Sequence, residues 1–167
     1  PWGDPAPFAE AFERQPDGIA AVSVACSYAD LEQGREFLPA LRSITQRYGA
    51  LLIYDEIVTG FRLRRGGAQE YFGVIPDLAV FAKGVSNGMP LSCYLGRRDI
   101  MQRVEDVVIS STFGGDALSL AAAAATIEVY EREDVIGTLW ARGRQLHEGF
   151  TVLCERLSAP ARFEGVS

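Results

Sequence analysis

Short apolar runs alternate along this chain with segments of helical periodicity. Residues 19–24 are rich in Ala and Val and are bounded by polar residues, which is typical of a buried strand. Apolar residues recur at helical spacing over 36–48, with Pro39 in the first turn and Gly49 as the stop. A second apolar strand follows at 51–54. This order of strand, helix and strand predicts a βαβ unit with parallel strands.

The same alternation continues over the rest of the chain. A stretch rich in Gly and Arg at 59–67 predicts a loop. Further strands are predicted at 77–81, 91–95 and 107–109. Further helices are predicted at 68–72, 99–104, 117–131 and 134–157. The pattern therefore indicates an α/β fold with a mainly parallel sheet.

Composition limits the classes of protein that fit this pattern. The 167 residues suffice for one domain, and 48% hydrophobic with 23% charged residues excludes a disordered chain. The 16 basic and 22 acidic residues give a net charge of −6 without a basic stripe, which argues against nucleic acid as a partner. The longest apolar run, 118–127, is too short for a membrane span.

The cysteines indicate neither a disulfide framework nor a metal site. Cys26, Cys93 and Cys154 lie far apart, and their number is odd. They are typical of reduced thiols, and with no visible signal peptide they predict a cytoplasmic protein.

Polar groups that could carry chemistry follow three of the predicted strands. They are Asp55 with Glu56, then Lys83, then Ser111 with Thr112. Ligands of open parallel sheets bind outside the carboxyl ends of the strands. Because Lys83 directly follows an apolar strand, we expect it to be partly buried, and such a lysine becomes a nucleophilic amine suited to Schiff-base chemistry.

Four motifs around these residues resemble those of class III aminotransferases, the subgroup of glutamate-1-semialdehyde aminomutase above all. They are LLIYDEIVTGFR at 51–62, PDLAVFAKG at 76–84, NGMP at 87–90 and STFGGD at 111–116. The motifs occur in the family's order, and the similarity covers about residues 19–150. This resemblance implies a fold-type I large domain that binds pyridoxal phosphate, with helices on both faces of the sheet.

The resemblance also implies roles for four residues. Lys83 would form the Schiff base with pyridoxal phosphate and move the proton between the substrate and the cofactor. Asp55 would pair with the pyridine nitrogen and keep it protonated, so that the ring can accept electrons. Ile57 would pack on the ring face. Thr112 would bind the cofactor phosphate of a neighbouring subunit, which implies a homodimer with shared sites acting on an amine donor and a carbonyl acceptor.

Some parts of the family pattern are different or missing. The family's first strand commonly ends in Glu-Pro, where this chain has Ala25 and Cys26. The phosphate-binding turn and the aromatic residue that stacks on the ring should lie upstream of Pro1. We therefore expect a fragment, with 1–157 as part of the large domain and 158–167 as the start of a C-terminal small domain.

Two other interpretations remain open. Residues 51–56 also resemble a Walker B strand of a nucleotide-binding domain, but the required glycine-rich phosphate loop is missing. A catalytically silent scaffold or interaction module is the second alternative. His147 is expected on a helix surface, and Glu56 in a structural loop contact or near the site. The three arginines at 62, 64 and 65 could meet a substrate carboxylate, but a solvated loop is expected for such a run.

Overall fold

The computed structural model describes residues 2–107, 112–163 and 165 of the chain. The strands are β1 (Ala21–Ala25), β2 (Leu51–Asp55), β3 (Leu78–Phe81) and β4 (Cys93–Gly96). The helices are α1 (Ala6–Arg14), α2 (Leu31–Arg47), α3 (Gly67–Phe72), α4 (Arg98–Met101), α5 (Ala117–Arg132) and α6 (Val135–Leu157). Two 3₁₀ turns are added at Lys83–Val85 and Gln102–Asp106.

The strands form one mainly parallel sheet in the order β1-β2-β3-β4. β1 pairs with β2 and β2 with β3 in parallel, whereas β4 pairs with β3 antiparallel. The chain returns from β3 to β4 through turns, without a crossover helix, so β4 runs in the opposite direction. The predicted α/β fold with a mainly parallel sheet is confirmed, and the four strands lie within two residues of their predicted positions.

Helix α2 begins five residues before its predicted start. Asp30 caps it, since its carboxylate accepts a hydrogen bond from the Gln33 amide at 3.0 Å. The prediction of Pro39 in the first turn is wrong, because Pro39 lies inside the helix. Close packing explains why position 34 is glycine, since a Cβ there would overlap the rings of Phe72 and Trp2. Glycine and proline within one helix masked its true length in the sequence.

The core lies on one face of the sheet. Alternate strand residues, among them Leu52 and Tyr54 at 0% exposure, are buried together with Phe37, Leu38 and Leu41 of α2. Because side chains alternate along a strand, Asp55 belongs to the opposite, less buried face. This alternation keeps the last residue of β2 accessible.

The other predicted elements are found in part. Helices α5 and α6 match their predictions within one residue, whereas the helix predicted at 99–104 is split into α4 and a 3₁₀ turn. Of the strand predicted at 107–109, Val107 is an exposed bend and the remainder lies outside the described residues. Among the described helices, none combines the length and the apolar character needed to cross a bilayer.

Asp77 connects three elements just before β3. Its carboxylate accepts hydrogen bonds from the Leu52 amide at 2.8 Å and from Arg42 and Arg97 at 2.9 Å each. Burial alone would raise the pKa of Asp77, but these hydrogen bonds outweigh it and hold the pKa below its usual range. The carboxylate therefore stabilises the fold when it is ionised.

Replacing this carboxylate should destabilise the fold in a pH-dependent way. We expect Asp77→Asn to lower the free energy of unfolding at pH 7 by about 3 kcal/mol, because two arginines lose a buried partner. A depressed pKa contributes stability above the unfolded-state value, which is lost as pH falls through the folded-state value. The difference between the two proteins, measured by urea unfolding, should therefore shrink below about pH 4. A constant difference down to pH 2 would contradict this role.

Candidate active site

The sheet brings Asp55 and Lys83 to the ends of neighbouring strands. Asp55 is the last residue of β2 and pairs in register with Val80 of β3, three residues before Lys83. The two strands are parallel, so both residues lie at the same edge of the sheet. The predicted juxtaposition of a carboxylate and an amine is therefore supported by the backbone pairing.

One oxygen of Asp55 is held in place and the other is available. Oδ1 accepts a hydrogen bond from the Ile57 amide at 2.9 Å. Oδ2 accepts none from any described residue, and the side chain is half-buried. This carboxylate can therefore accept a hydrogen bond from a cationic group bound at the sheet edge.

Lys83 adopts a backbone conformation that is uncommon for a side chain of its size. Its φ of 49° lies in the left-handed region, at the start of the 3₁₀ turn Lys83–Val85. Such conformations persist where neighbouring structure enforces them, and they cluster at functional sites. Lys83 is also the only lysine among the 16 basic residues of the chain, a signal in the sequence that the motif comparison does not use.

The expected partial burial of Lys83 is wrong, because the side chain is exposed. The apolar strand β3 ends at Phe81, and the 3₁₀ turn carries Lys83 away from the buried face of the sheet. An exposed amine remains able to react with an added aldehyde.

The turn after β2 packs closely against the Lys83 turn. A Cβ at Gly84 would lie 3.0 Å from the Phe61 Cβ and 3.1 Å from the Gly60 carbonyl oxygen. A Cβ at Gly60 would overlap the Phe81 ring. A side chain is thus excluded at Gly60 unless Phe81 moves, and the backbone packs tightly at Gly84, on the other side of Lys83.

Glu56 is a fully buried carboxylate at 0% exposure. It accepts hydrogen bonds from the Thr59 hydroxyl and from the amides of Ala68 at 2.8 Å and Gln69 at 2.9 Å. Burial raises the pKa of Glu56, although these three hydrogen bonds oppose the shift. Of the two predicted roles, the structural loop contact is confirmed.

The other predicted site residues lie on separate elements. Ile57 is half-buried next to Asp55, as packing on a ring at this edge would require. Thr112 is exposed in the turn before α5, and within the described residues it makes no hydrogen bond with Asp55, Ile57 or Lys83. Its predicted phosphate contact with a neighbouring subunit stays a prediction.

The three arginines of the following loop have structural partners. Arg62 donates to the Val58 carbonyl at 2.7 Å, Arg65 pairs with Glu131 at 3.3 Å, and Arg64 lies 5.9 Å from the centre of the Tyr71 ring. The side chains are nevertheless exposed, as a solvated loop predicts.

Two adjoining cavities open beside the Lys83 turn. The smaller, of about 470 Å³, is lined by Lys83, Arg62 and the turn after Lys83. The larger, of about 840 Å³, lies between the 58–63 turn, α5 and α6 and has mostly apolar walls. Of these two cavities, only the smaller is lined by Lys83, and neither is lined by Asp55 or Ile57.

The remaining candidates do not form a second centre. His147 lies on α6, stacked on Phe163 with ring centres 4.9 Å apart. The three cysteines are free, and burial raises the pKa of the Cys26 thiol, with further increases from Glu56 and Asp55. No group of three or more potential metal ligands occurs within the described part of the chain.

The departure at Ala25 and Cys26 lies beside Asp55. Ala25 pairs in register with Asp55, and the Cys26 amide donates to the Asp55 carbonyl at 3.3 Å. The neighbouring strand thus places a methyl group, and one residue later a buried thiol, beside Asp55.

Comparison with known proteins shows which family this chain resembles. The family model for class-III aminotransferases matches residues 8–162. The glutamate-1-semialdehyde 2,1-aminomutase of Sulfurihydrogenibium azorense is 38% identical over 165 residues, which are 95% of this chain and 39% of that protein. The aminomutase of Pelotomaculum thermopropionicum is 42% identical over 144 residues, covering 83% of this chain and 33% of that protein.

Solved structures show the same fold. The PLP internal aldimine form of the FumI protein from Sphingopyxis sp. MTA144 has a TM-score of 0.83 at 27% identity, covering 93% of this chain and 39% of that one. The β-phenylalanine aminotransferase of Variovorax paradoxus has a TM-score of 0.82 at 27% identity, with 100% and 40% coverage. This chain thus spans about two-fifths of the length of such relatives.

A pair of glycine substitutions tests how closely the backbone packs around the buried Glu56 carboxylate. Gly67 and Gly73 both have positive φ, 76° and 70°, but only at Gly67 would a Cβ overlap the Glu56 carboxylate. We expect Gly73→Ala to lower the free energy of unfolding by about 1 kcal/mol, the cost of the left-handed conformation. Gly67→Ala should cost about 2–4 kcal/mol because it adds a buried overlap. Equal losses in chemical denaturation would contradict this packing.

Proposed function

This chain belongs to the class-III aminotransferase family, and we propose that the whole protein transfers amino groups with pyridoxal phosphate, between two molecules or within one as a 1,2-aminomutase. The observation that carries the proposal is the position of Lys83 and Asp55 at neighbouring ends of two parallel strands. One oxygen of Asp55 is held by the Ile57 amide, and the other accepts no hydrogen bond from a described residue. Residues 1–157 would supply part of the cofactor-binding domain, and 158–167 would begin the small domain. The substrates would be a small amine donor and a carbonyl acceptor.

The residues present fit this cofactor. Bound pyridoxal phosphate supplies an aldehyde and a ring that accepts the electrons released at the substrate α-carbon. The Lys83 amine is the one side-chain amine in the chain that can hold an aldehyde. The available oxygen of Asp55 is the acceptor that a protonated pyridine nitrogen requires.

Each residue would contribute a separate function. Lys83 would hold the aldehyde carbon through Nζ and, once released by the substrate amine, carry a proton to and from the α-carbon. Asp55 would keep the ring nitrogen protonated, with its orientation fixed by the Ile57 amide. The Ile57 side chain would pack on the ring face and exclude water from it.

We also propose that two copies of the chain share each site. Thr112 is exposed in the glycine-rich turn that precedes α5, and a hydroxyl near a helix N-terminus suits a phosphate. Thr112 would bind the phosphate in the partner's site, and the protein would act as a homodimer. The mass of the assembly in solution is the measurement that addresses this point.

Because Lys83 is the only lysine, the predicted attachment point has a clear test. We expect the folded chain, mixed with pyridoxal phosphate and reduced with borohydride, to carry one pyridoxyl group on Lys83 by peptide mass mapping. Lys83→Arg keeps the charge and should abolish this adduct. The far-UV circular dichroism should stay unchanged, since an exposed substitution costs within about 0.5 kcal/mol. Labelling of the Pro1 amine alone would contradict the assignment.

The role of Asp55 predicts a change in the ring nitrogen. We expect Asp55→Asn to weaken pyridoxal phosphate binding by about 10- to 100-fold, because a hydrogen bond to a charged group contributes about 1.5–3 kcal/mol. ¹⁵N NMR of labelled cofactor should show a protonated ring nitrogen in the wild type and an unprotonated one in the variant.

The exposed Asp17 provides a matched control for this substitution. Asp17→Asn should leave both the affinity and the nitrogen shift unchanged. An unprotonated nitrogen in the wild type, or an Asp55→Asn variant with wild-type affinity, would show that Asp55 does not act on the ring.

A further inference from the structure

The buried carboxylate of Glu56 lies one residue from Asp55, and the chemistry proposed above does not use it. We propose that Glu56 is a positioning residue that sets the backbone of Lys83 through the turn at 59–61. The inference rests on the proposed function, since it concerns how well Lys83 presents its amine to pyridoxal phosphate.

The Glu56 side chain is attached to both ends of one loop. Its carboxylate accepts from the Thr59 hydroxyl at the start of the loop and from the Ala68 and Gln69 amides at its end. Three donors converge on one buried group, so an acceptor with two oxygens and no proton donor is required. Glu56, which directly follows β2, therefore holds both ends of this loop in place.

The backbone of Glu56 also makes two hydrogen bonds. Its amide donates to the Val80 carbonyl of β3 at 2.9 Å, and its carbonyl accepts from the Gly60 amide at 2.9 Å. Glu56 therefore connects the strand that leads to Lys83 with the turn that packs against Lys83. Its side chain and its backbone act on the same turn.

The turn at 59–61 packs against residues on both sides of Lys83. Gly60 packs against the Phe81 ring, two residues before Lys83, and the Gly60 and Phe61 backbone packs against Gly84, one residue after it. Phe61 itself has a φ of 61°, and its carbonyl accepts from the Tyr130 hydroxyl at 2.6 Å. The turn is thus held from α5 as well, and its position determines the space in which the left-handed Lys83 sits.

Replacing the carboxylate should weaken the attachment of cofactor without removing Asp55 or Lys83. In Glu56→Gln, the amide NH₂ group would face one of the two backbone N–H groups, Ala68 or Gln69, that now donate to separate oxygens. We expect an absorbance titration of the variant chain with pyridoxal phosphate to give an apparent affinity about tenfold below wild type. The titration is done at 10 °C, with far-UV circular dichroism showing that both proteins are folded.

Glu70→Gln is the matched control for this variant. Glu70 is an exposed carboxylate of α3 that accepts from the Gly66 amide at 2.7 Å, near the same loop. It does not reach the strand ends, so its substitution should leave the affinity unchanged. A tenfold loss in Glu70→Gln as well would mean that any change in the loop suffices, and it would overturn the specific role of Glu56.

A second variant keeps the inference testable if Glu56→Gln does not fold. Gly84→Ala leaves Glu56 intact and disturbs the contact with Gly60 and Phe61. It should also weaken cofactor attachment by about tenfold, whereas Gly149→Ala, at a helical glycine with open space around it, should not. If both substitutions act through the turn, their combined effect on affinity in a double-mutant cycle is smaller than the sum.

The outcomes separate this inference from the proposed function. If the whole protein gives no adduct on Lys83, the proposed function fails. If the wild type reacts at Lys83 and folded Glu56→Gln and Gly84→Ala bind with unchanged affinity, the proposed function stands and the positioning role is overturned. Additive effects on affinity in the double variant would also overturn it. If Glu56 and Gly84 only stabilised the fold, substituting both would be non-additive in the free energy of unfolding but not in the affinity.

Discussion

The parallel pairing of β2 with β3 is the constraint on which the candidate site depends. It fixes Asp55 opposite Val80 and so brings Lys83 to the edge of the sheet where Asp55 ends its strand. The pairing is held at its far end by the Glu56 amide, which donates to the Val80 carbonyl at 2.9 Å, and at its start by Asp77. Asp77 exchanges hydrogen bonds with Leu52, through its amide to the Leu52 carbonyl at 2.8 Å and through its carboxylate from the Leu52 amide. A shift of one residue would turn Asp55 toward the core.

Much of this arrangement can be predicted from the sequence, because it follows from strong local patterns. Apolar runs at β2 and β3 are short and are ended by polar residues, so both strands and the polar groups behind them are recognisable. The family match confirms the resemblance carried by the four motifs. The roles of Asp55, Ile57, Lys83 and Thr112 remain proposals.

Other features depend on contacts between distant residues and could not be predicted. Gly34 and Pro39 weaken the helical signal of α2, yet packing and the Asp30 cap stabilise the full helix. The exposure of Lys83 depends on its left-handed turn, and no local pattern indicates a positive φ for lysine. The burial of Glu56 depends on amides twelve and thirteen residues away. Only the nearby Thr59 and paired glycines in the sequence point to such a loop.

The central claim is that the fold, and not the lysine alone, creates a place for pyridoxal phosphate. Its most direct test is an absorbance titration of the chain with this cofactor, folded in buffer and unfolded in urea, with Lys83→Arg subtracted as background. The account predicts that the folded chain binds at Lys83 at least about tenfold more tightly, equivalent to about 1.4 kcal/mol. Equal affinities in the folded and unfolded states would contradict it, since the strand ends would then contribute nothing to binding.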